Sequence, residues 1–286
     1  MGMGAAVKVA LQLYKEGFFN EIKSVIDMGT QEIHLEYEDF EYYCKSVSLE
    51  FESNIFSGLF DPLGPRRVPS REFWKLLGIE KIDSLDLDPK YGAFGVDLNF
   101  PLADEKLKGR YDLVTDFGNN EHPFNVAEAY RTMHRLCGVD GYLWIEQNVY
   151  NGNGFFNFDQ SFFEGMAAAN SYSIAYSAYI VGSGSMKQFF IPASKELLAK
   201  LDLNRVDYVG ITYIFRKRSD KDFKFYYQGN ADKPRELFKV DLLPDRLPAE
   251  RLYIPIQQAD TLKTISFKNL VVELMMRIWG KAKFWA

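Results

Sequence analysis

Short apolar runs, several ending in an acid or a glycine, alternate along this chain with stretches of helical spacing. Residues 23–29 (KSVIDMG) form the first run, and buried parallel strands look this way where they stop at a ligand-binding edge. The pattern returns at Ile82 to Leu87, near Asp86 and Asp88, and again at Tyr111 to Phe117, followed by Gly118. Residues 141–147 (GYLWIEQ) make a fourth strand, preceded by a helical stretch from Asn125 to Leu136. Ahead of them all, Ala5 to Phe19 places Val9, Leu11, Leu13 and Phe18 at helical spacing and predicts an amphipathic helix. Strands alternating with helices imply βαβ units and a mostly parallel sheet.

Between the first two strands lies an irregular stretch, about residues 31–69, rich in aromatics and acids and closed by Pro62, Gly64, Pro65 and Pro69. It exceeds the usual crossover length and reads either as a lid-like, substrate-facing insertion or as a packing extension. Ser70 then caps a helix from Arg71 to Leu77. Beyond Gln147 come a Gly/Asn-rich loop (148–157), an aromatic helix around Phe162 and Phe163, and strands at Ser171 to Val181 and Val206 to Lys217. A segment punctuated by Pro234, Pro244, Pro248 and Pro255 precedes a final apolar helix from Ser266 to Trp279.

Composition narrows the function classes. The 286 residues are 47% hydrophobic and 16% aromatic, enough for a packed core and an apolar pocket. A formal net charge of -5 argues against a nucleic-acid scaffold, and acids flank the one basic run, Arg216 to Arg218. Cys44 and Cys137 stand far apart, so reduced thiols are expected rather than a disulfide framework or a zinc site. With no signal-like N-terminus and no long apolar run, a cytoplasmic protein is expected.

Three acids stand at successive strand ends: Asp27, Asp86 and Asp97. In open α/β sheets such edges carry the ligand, and an acid after the second strand can accept both hydroxyls of a ribose. Gly29 lets backbone approach a ligand closely; caps of the following turns are the plainer use of such acids. The strings VIDMG (25–29), SLDLDP (84–89), VDLNFPL (96–102) and YDLVTDFGNNEHPFNV (111–126) fall in the order that resembles a class I S-adenosylmethionine-dependent methyltransferase. The likeness is greatest to bacterial enzymes linked to surface-polysaccharide or small-molecule modification. HRLCGVDGYLWIEQ (134–147) is similar to that family's helix, glycine turn and fifth strand, and the resemblance thins beyond Tyr172. It implies that Asp27 and Gly29 lie beside the methionine part of S-adenosylmethionine, and that Asp86 binds the ribose. It further implies that Asp97 with Leu98 meets the adenine, and that Phe117 and Gly118 lie along the cofactor. One departure stands out: Gln31 and Ile33 occupy positions where the family has glycines, so Gln31 is a candidate contact to cofactor or substrate.

Glu121 and His122 follow the fourth strand, where substrates of this fold approach the methyl donor. Histidine suits proton acceptance near neutral pH, so His122 with Glu121 is the candidate catalytic pair; capping the next helix is the alternative. Some relatives hold a divalent metal through Glu-x-x-Glu-His, but Gly118 occupies the first acid position and no metal is expected. His134 reads as structural, and nothing places His34.

The resulting expectation is a doubly wound, Rossmann-like sheet over residues 1–218 and a C-terminal extension over 219–286. Its function would be methyl transfer from S-adenosylmethionine to an oxygen or nitrogen of a small-molecule acceptor, such as a sugar or glycan precursor. A non-catalytic binding or scaffold protein that has lost the donor site is the alternative. A nicotinamide-dependent oxidoreductase is disfavoured, because no G-x-G-x-x-G follows the first strand. No nucleic-acid partner is expected. The basic end of the last helix could lie on an anionic membrane, but packing on the domain or on a second copy needs no special assumption.

Overall fold

The computed structural model describes residues 2–57, 59, 67–182 and 188–226. Its centre is an eight-stranded sheet in the order β3-β2-β1-β4-β5-β8-β6-β7. The strands are β1 (Ser24–Met28), β2 (Lys81–Asp86), β3 (Phe94–Gly95), β4 (Tyr111–Phe117), β5 (Cys137–Tyr150), β6 (Tyr172–Gly182), β7 (Gln188–Pro192) and β8 (Tyr208–Lys217). From β3 to β5 every pairing is parallel. From β5 through β8 and β6 to β7 every pairing is antiparallel. The expectation of a mostly parallel sheet is therefore corrected to a mixed one. The local pattern could not show that β8, late in the chain, inserts between β5 and β6.

Alternate strand residues supply two cores. Val25, Leu113, Trp144 and Ile214 pack under α1 (Gly4–Lys15) and α4 (Ser70–Leu76). Ile26, Val114, Ile145 and Phe215 pack under α5 (Val126–Leu136) and α6 (Gln160–Asn170). With both faces covered, β1 is buried at all five positions, which is why it shows no alternation of apolar and polar residues.

The described part of the stretch between β1 and α4 is partly helical. It folds into α2 (Tyr37–Ser46) and α3 (Ser53–Phe56), and Phe40, Cys44 and Phe56 lie in the α1-side core. The Phe40 and Phe56 rings stack with centroids 4.8 Å apart. Its two ends are laced together: the Ile33 amide donates to the Val68 carbonyl (2.8 Å), and the Ser70 amide to the Gln31 carbonyl (2.9 Å). Ile33 is fully buried, so an apolar anchor stands where a glycine was expected because the chain here enters a packed insertion. Pro69, not Ser70, occupies the N-cap of α4, and the Ser70 hydroxyl serves another purpose described below.

Between β7 and β8 come a short helix, α7 (Lys195–Leu198), and a 3-10 turn (Leu203–Arg205). Residues 219–226 run over α5 and α6, where the Lys224 amide donates to Asn170 Oδ1 (2.7 Å) and the Lys221 carbonyl lies 2.8 Å from His134 Nε2. The proline-punctuated segment and the helix expected at Ser266 to Trp279 lie outside the described residues. Among the described residues no helix is long and apolar enough to cross a membrane. Cys44 and Cys137 are free and buried.

Candidate functional site

The strand order reverses at β1, which has β2 on one side and β4 on the other. The carboxyl ends of these strands form the edge where open α/β sheets hold ligands. Gly29 turns the chain off β1 at φ +80°, a left-handed conformation that favours glycine, and its amide donates to the Leu85 carbonyl at 2.7 Å. The next residue closes onto the end of β2. The Thr30 amide (2.7 Å) and hydroxyl both donate to Asp86 Oδ2, while the Asp88 amide donates to Oδ1 (3.0 Å). Burial works to raise the Asp86 carboxyl, but these hydrogen bonds outweigh it and hold the group below its ordinary range. Asp86 is thus a part-exposed, ionised acceptor at the edge.

Asp27 behaves differently. It is 1% exposed and accepts from the Ser70 hydroxyl (2.6 Å), the Trp74 indole N–H (3.1 Å) and the Thr115 hydroxyl. Burial pushes it up to about 6 despite those donors. The side chain ties β1 to α4 and β4. Gln31 is equally buried; its Nε2 donates to the Met28 carbonyl at 3.0 Å, and its Oε1 has no partner among the described residues.

Asp97 lies just past β3, where Oδ1 accepts from the Asn99 amide (2.9 Å) and side chain (2.8 Å), while Leu98 packs into the α5-side core. On β4, the Phe117 ring is buried, edge-on to Trp144 with centroids 5.2 Å apart. Gly118 follows at φ +76° with open space beside its Cα, since an added Cβ would meet nothing within 4 Å. Asp27, Gly29, Gln31 and Asp86 therefore converge at the β1–β2 edge, with Phe117 and Gly118 on the adjoining strand.

Glu121 and His122 stand together but in different surroundings. Glu121 is 1% exposed and accepts from Asn148 Nδ2 at 2.6 and 2.8 Å, and its carbonyl accepts the Phe155 amide at 2.8 Å. It posts the glycine-rich loop, whose Gly154 packs so closely that a Cβ there would come within 2.5 Å of Glu121 Cγ. The His122 side chain is 42% exposed, with Nε2 3.8 Å from Glu121 Oε1. His134 is structural: Nδ1 lies 2.6 Å from the Tyr172 hydroxyl, and burial, with help from Lys217, lowers its pKa to about 4. Among the described residues no three His, Cys, Asp or Glu side chains group as a metal site would require.

Sequence reasoning passed over two groups. One surrounds a polar cavity of about 180 Å³ beside Asp27 and includes Thr30, Ser70, Arg71 and Tyr91. The other lies on the α1 face of β5. There burial pushes Glu146 up to about 8, with Lys8 opposing and Asp116 adding to the rise, and Glu146 Oε2 has no partner among the described residues. An acid inside the apolar LWIEQ run and a lysine between Val7 and Val9 were the available signals.

No protein-family model matches the chain, and no curated protein matches it in sequence. Many solved structures of S-adenosylmethionine-dependent methyltransferases are similar to it in fold, at low identity. One is the 1,6-didemethyltoxoflavin-N1-methyltransferase of Burkholderia thailandensis, 12% identical, with 75% of this chain and 79% of that chain covered and a TM-score of 0.40. Another, a methyltransferase from Archaeoglobus fulgidus, is 14% identical over 74% of this chain and 94% of that chain, with a TM-score of 0.42. The sheet itself is mixed, with a parallel β3-β2-β1-β4-β5 half and antiparallel C-terminal strands.

Proposed function

We propose that this chain is an S-adenosylmethionine-dependent methyltransferase acting on an oxygen or nitrogen of a small molecule. The observation that carries the reading is Asp86: a part-exposed carboxylate at the end of β2 whose hydrogen bonds hold it ionised. A carboxylate held ionised at that strand end can accept ribose hydroxyls, so Asp86 fits the nucleoside of the donor. When bound, the donor supplies a sulfonium methyl for in-line displacement. The rest is positioning by this chain's own groups. Asp86 accepts the ribose hydroxyls, Gly29 and Gly118 leave the edge clear, Phe117 floors it, and Asp97 with Leu98 borders the adenine. Glu121 holds the glycine-rich loop in place. His122, part-exposed beyond β4, takes the proton from the acceptor. A sugar or glycan precursor is the acceptor class that the sequence resemblance implies, and a second copy of the chain is the partner that the C-terminal extension would suit.

One observation favours the non-catalytic alternative. Thr30 closes over Asp86, while Gln31 and Ile33 fill the loop that glycines would leave open. Calorimetric titration with S-adenosylmethionine and S-adenosylhomocysteine separates the two. Binding by the wild type is expected, weakened about 10- to 100-fold in Asp86→Ala, since hydrogen bonds to a charged group contribute about 1.5–3 kcal/mol. No binding by the wild type would leave the scaffold reading standing. Binding unaffected by Asp86→Ala would remove the ribose from Asp86.

A further inference from the structure

Five elements direct polar side chains to one place on the α1 face of the sheet. Glu146 stands on β5 opposite Phe117 of β4, and its carbonyl accepts the Gly118 amide at 2.8 Å. It is therefore one strand away from the candidate donor edge. Gln188 opens β7, and its Nε2 donates to the Tyr208 hydroxyl at the start of β8 (2.6 Å). Gly4 brings the first turn of α1 against them, since a Cβ there would stand 3.6 Å from Gln188 Nε2. One turn on lies the buried Lys8, whose charge Glu146 helps to hold. Burial, helped by the same carboxyl, raises the Tyr208 hydroxyl to about 12 and also raises that of Tyr176 on β6.

Two atoms of this group have nothing to bind. Glu146 Oε2 and Gln188 Oε1 are shut off from solvent and lack a partner among the described residues, although each residue as a whole is only partly buried. Buried acceptors left unmade are costly, so two of one kind on neighbouring elements imply a ligand that supplies donors to both. Lys8 decides which donors these are. An ammonium would enter beside a buried cation whose charge burial already disfavours, whereas a hydroxyl brings no charge. A hydroxyl also both gives and accepts. It answers Glu146 with or without its proton and leaves an oxygen for Lys8.

Building on the methyltransferase reading, we propose that this group binds the methyl acceptor, and that the acceptor is a neutral polyhydroxylated molecule with one hydroxyl on Glu146 and another on Gln188. The Tyr176 and Tyr208 side chains give the site walls that are apolar along the ring and polar at the tip. Glu146 and Gln188 select hydroxylated molecules, and Lys8 turns away their amino counterparts.

The test loads the full chain with S-adenosylhomocysteine and follows sugar binding by ligand-observed NMR titration. Glucose, galactose and mannose are compared with glucosamine, galactosamine and mannosamine in their ammonium forms. At least one neutral sugar is expected to bind about tenfold or more tightly than its amino counterpart. Glu146→Leu, which leaves no polar atom to satisfy, is expected to weaken that sugar about tenfold or more with S-adenosylhomocysteine binding unchanged. Lys8→Met is expected to narrow the gap between sugar and amino sugar. No sugar bound, an amino sugar bound as well as its neutral partner, full affinity in Glu146→Leu or a gap unmoved in Lys8→Met would overturn the assignment while leaving the donor reading intact. Wild-type protein that fails to bind S-adenosylhomocysteine would overturn the donor reading and this assignment with it. Should Glu146→Leu fail to fold, Gln188→Met takes its place, and the same selective loss is expected.

Discussion

At the scale of single residues, the acids of this sheet divide by what answers their charge. Asp86 is stabilised as an anion by donors, whereas burial raises Asp27 to about 6, Asp116 to about 7 and Glu146 to about 8. A carboxyl whose folded-state pKa is raised keeps its proton in the native state after the unfolded chain has lost it. Its contribution to stability is therefore full below the unfolded value and is lost as pH rises through the folded one. For Glu146 that window runs from its ordinary 4.5 to about 8. The melting temperature is expected to fall between pH 5 and pH 8.5. Glu146→Gln is expected to flatten that fall and to stabilise the protein at pH 8 by on the order of 1–2 kcal/mol, with little effect at pH 5. A pH profile identical to wild type would show that Glu146 does not titrate in this range. Asp86 and Gly118 were legible in sequence because they stand where an apolar run stops. Glu146 was not, because a strand buried on both faces shows no alternation to say which face a side chain takes.

Secondary-structure elements are joined at this edge by buried hydrogen bonds as well as by apolar packing. Asp27 gathers donors from two of them, Ser70 and Trp74 on α4 and Thr115 on β4. Asp27→Ala would leave three buried donors without an acceptor. A loss of about 2–4 kcal/mol is expected, read as a lower denaturant midpoint; a change below about 0.5 kcal/mol would mean that water replaces the carboxylate. The strand at Tyr111–Phe117 and the helix at Val126–Leu136 could be placed from pattern because the strand is rich in β-formers and bounded by glycines at 109 and 118, and the helix is one-sided. The helix at Tyr37–Ser46 could not. Its inward residues, Phe40 and Cys44, sit among aromatics that favour strands, and acids occupy its remaining faces. The strand at Gln188–Pro192 is short, and it pairs only with its own neighbour β6 at the edge of the sheet.

For the whole molecule, most of the parallel half joins strands that are neighbours in sequence, β3 to β2, β2 to β1 and β4 to β5, which explains why it was readable. Completing the other half depends on residues 208–217 meeting strands that end at Tyr150 and Gly182, a pairing that no local pattern records. Long-range pairing of this kind is slow to form. Pulse-labelled hydrogen exchange during refolding should therefore protect the amides of β1 and β4 before those of β8. Simultaneous protection would argue for one cooperative step. Because β8 is the keystone between β5 and β6, the order of synthesis matters as well. A ribosome releases the candidate cofactor edge and all five parallel strands first, then β6 and β7, and only afterwards the segment that joins the two groups. Until then the newborn chain presents two unpaired strand margins, on β5 and on β6, each a template for another chain. The interval between translating residue 150 and residue 217 is when the chain is most exposed to edge-to-edge pairing, and a pause there is expected to raise aggregation of the nascent chain.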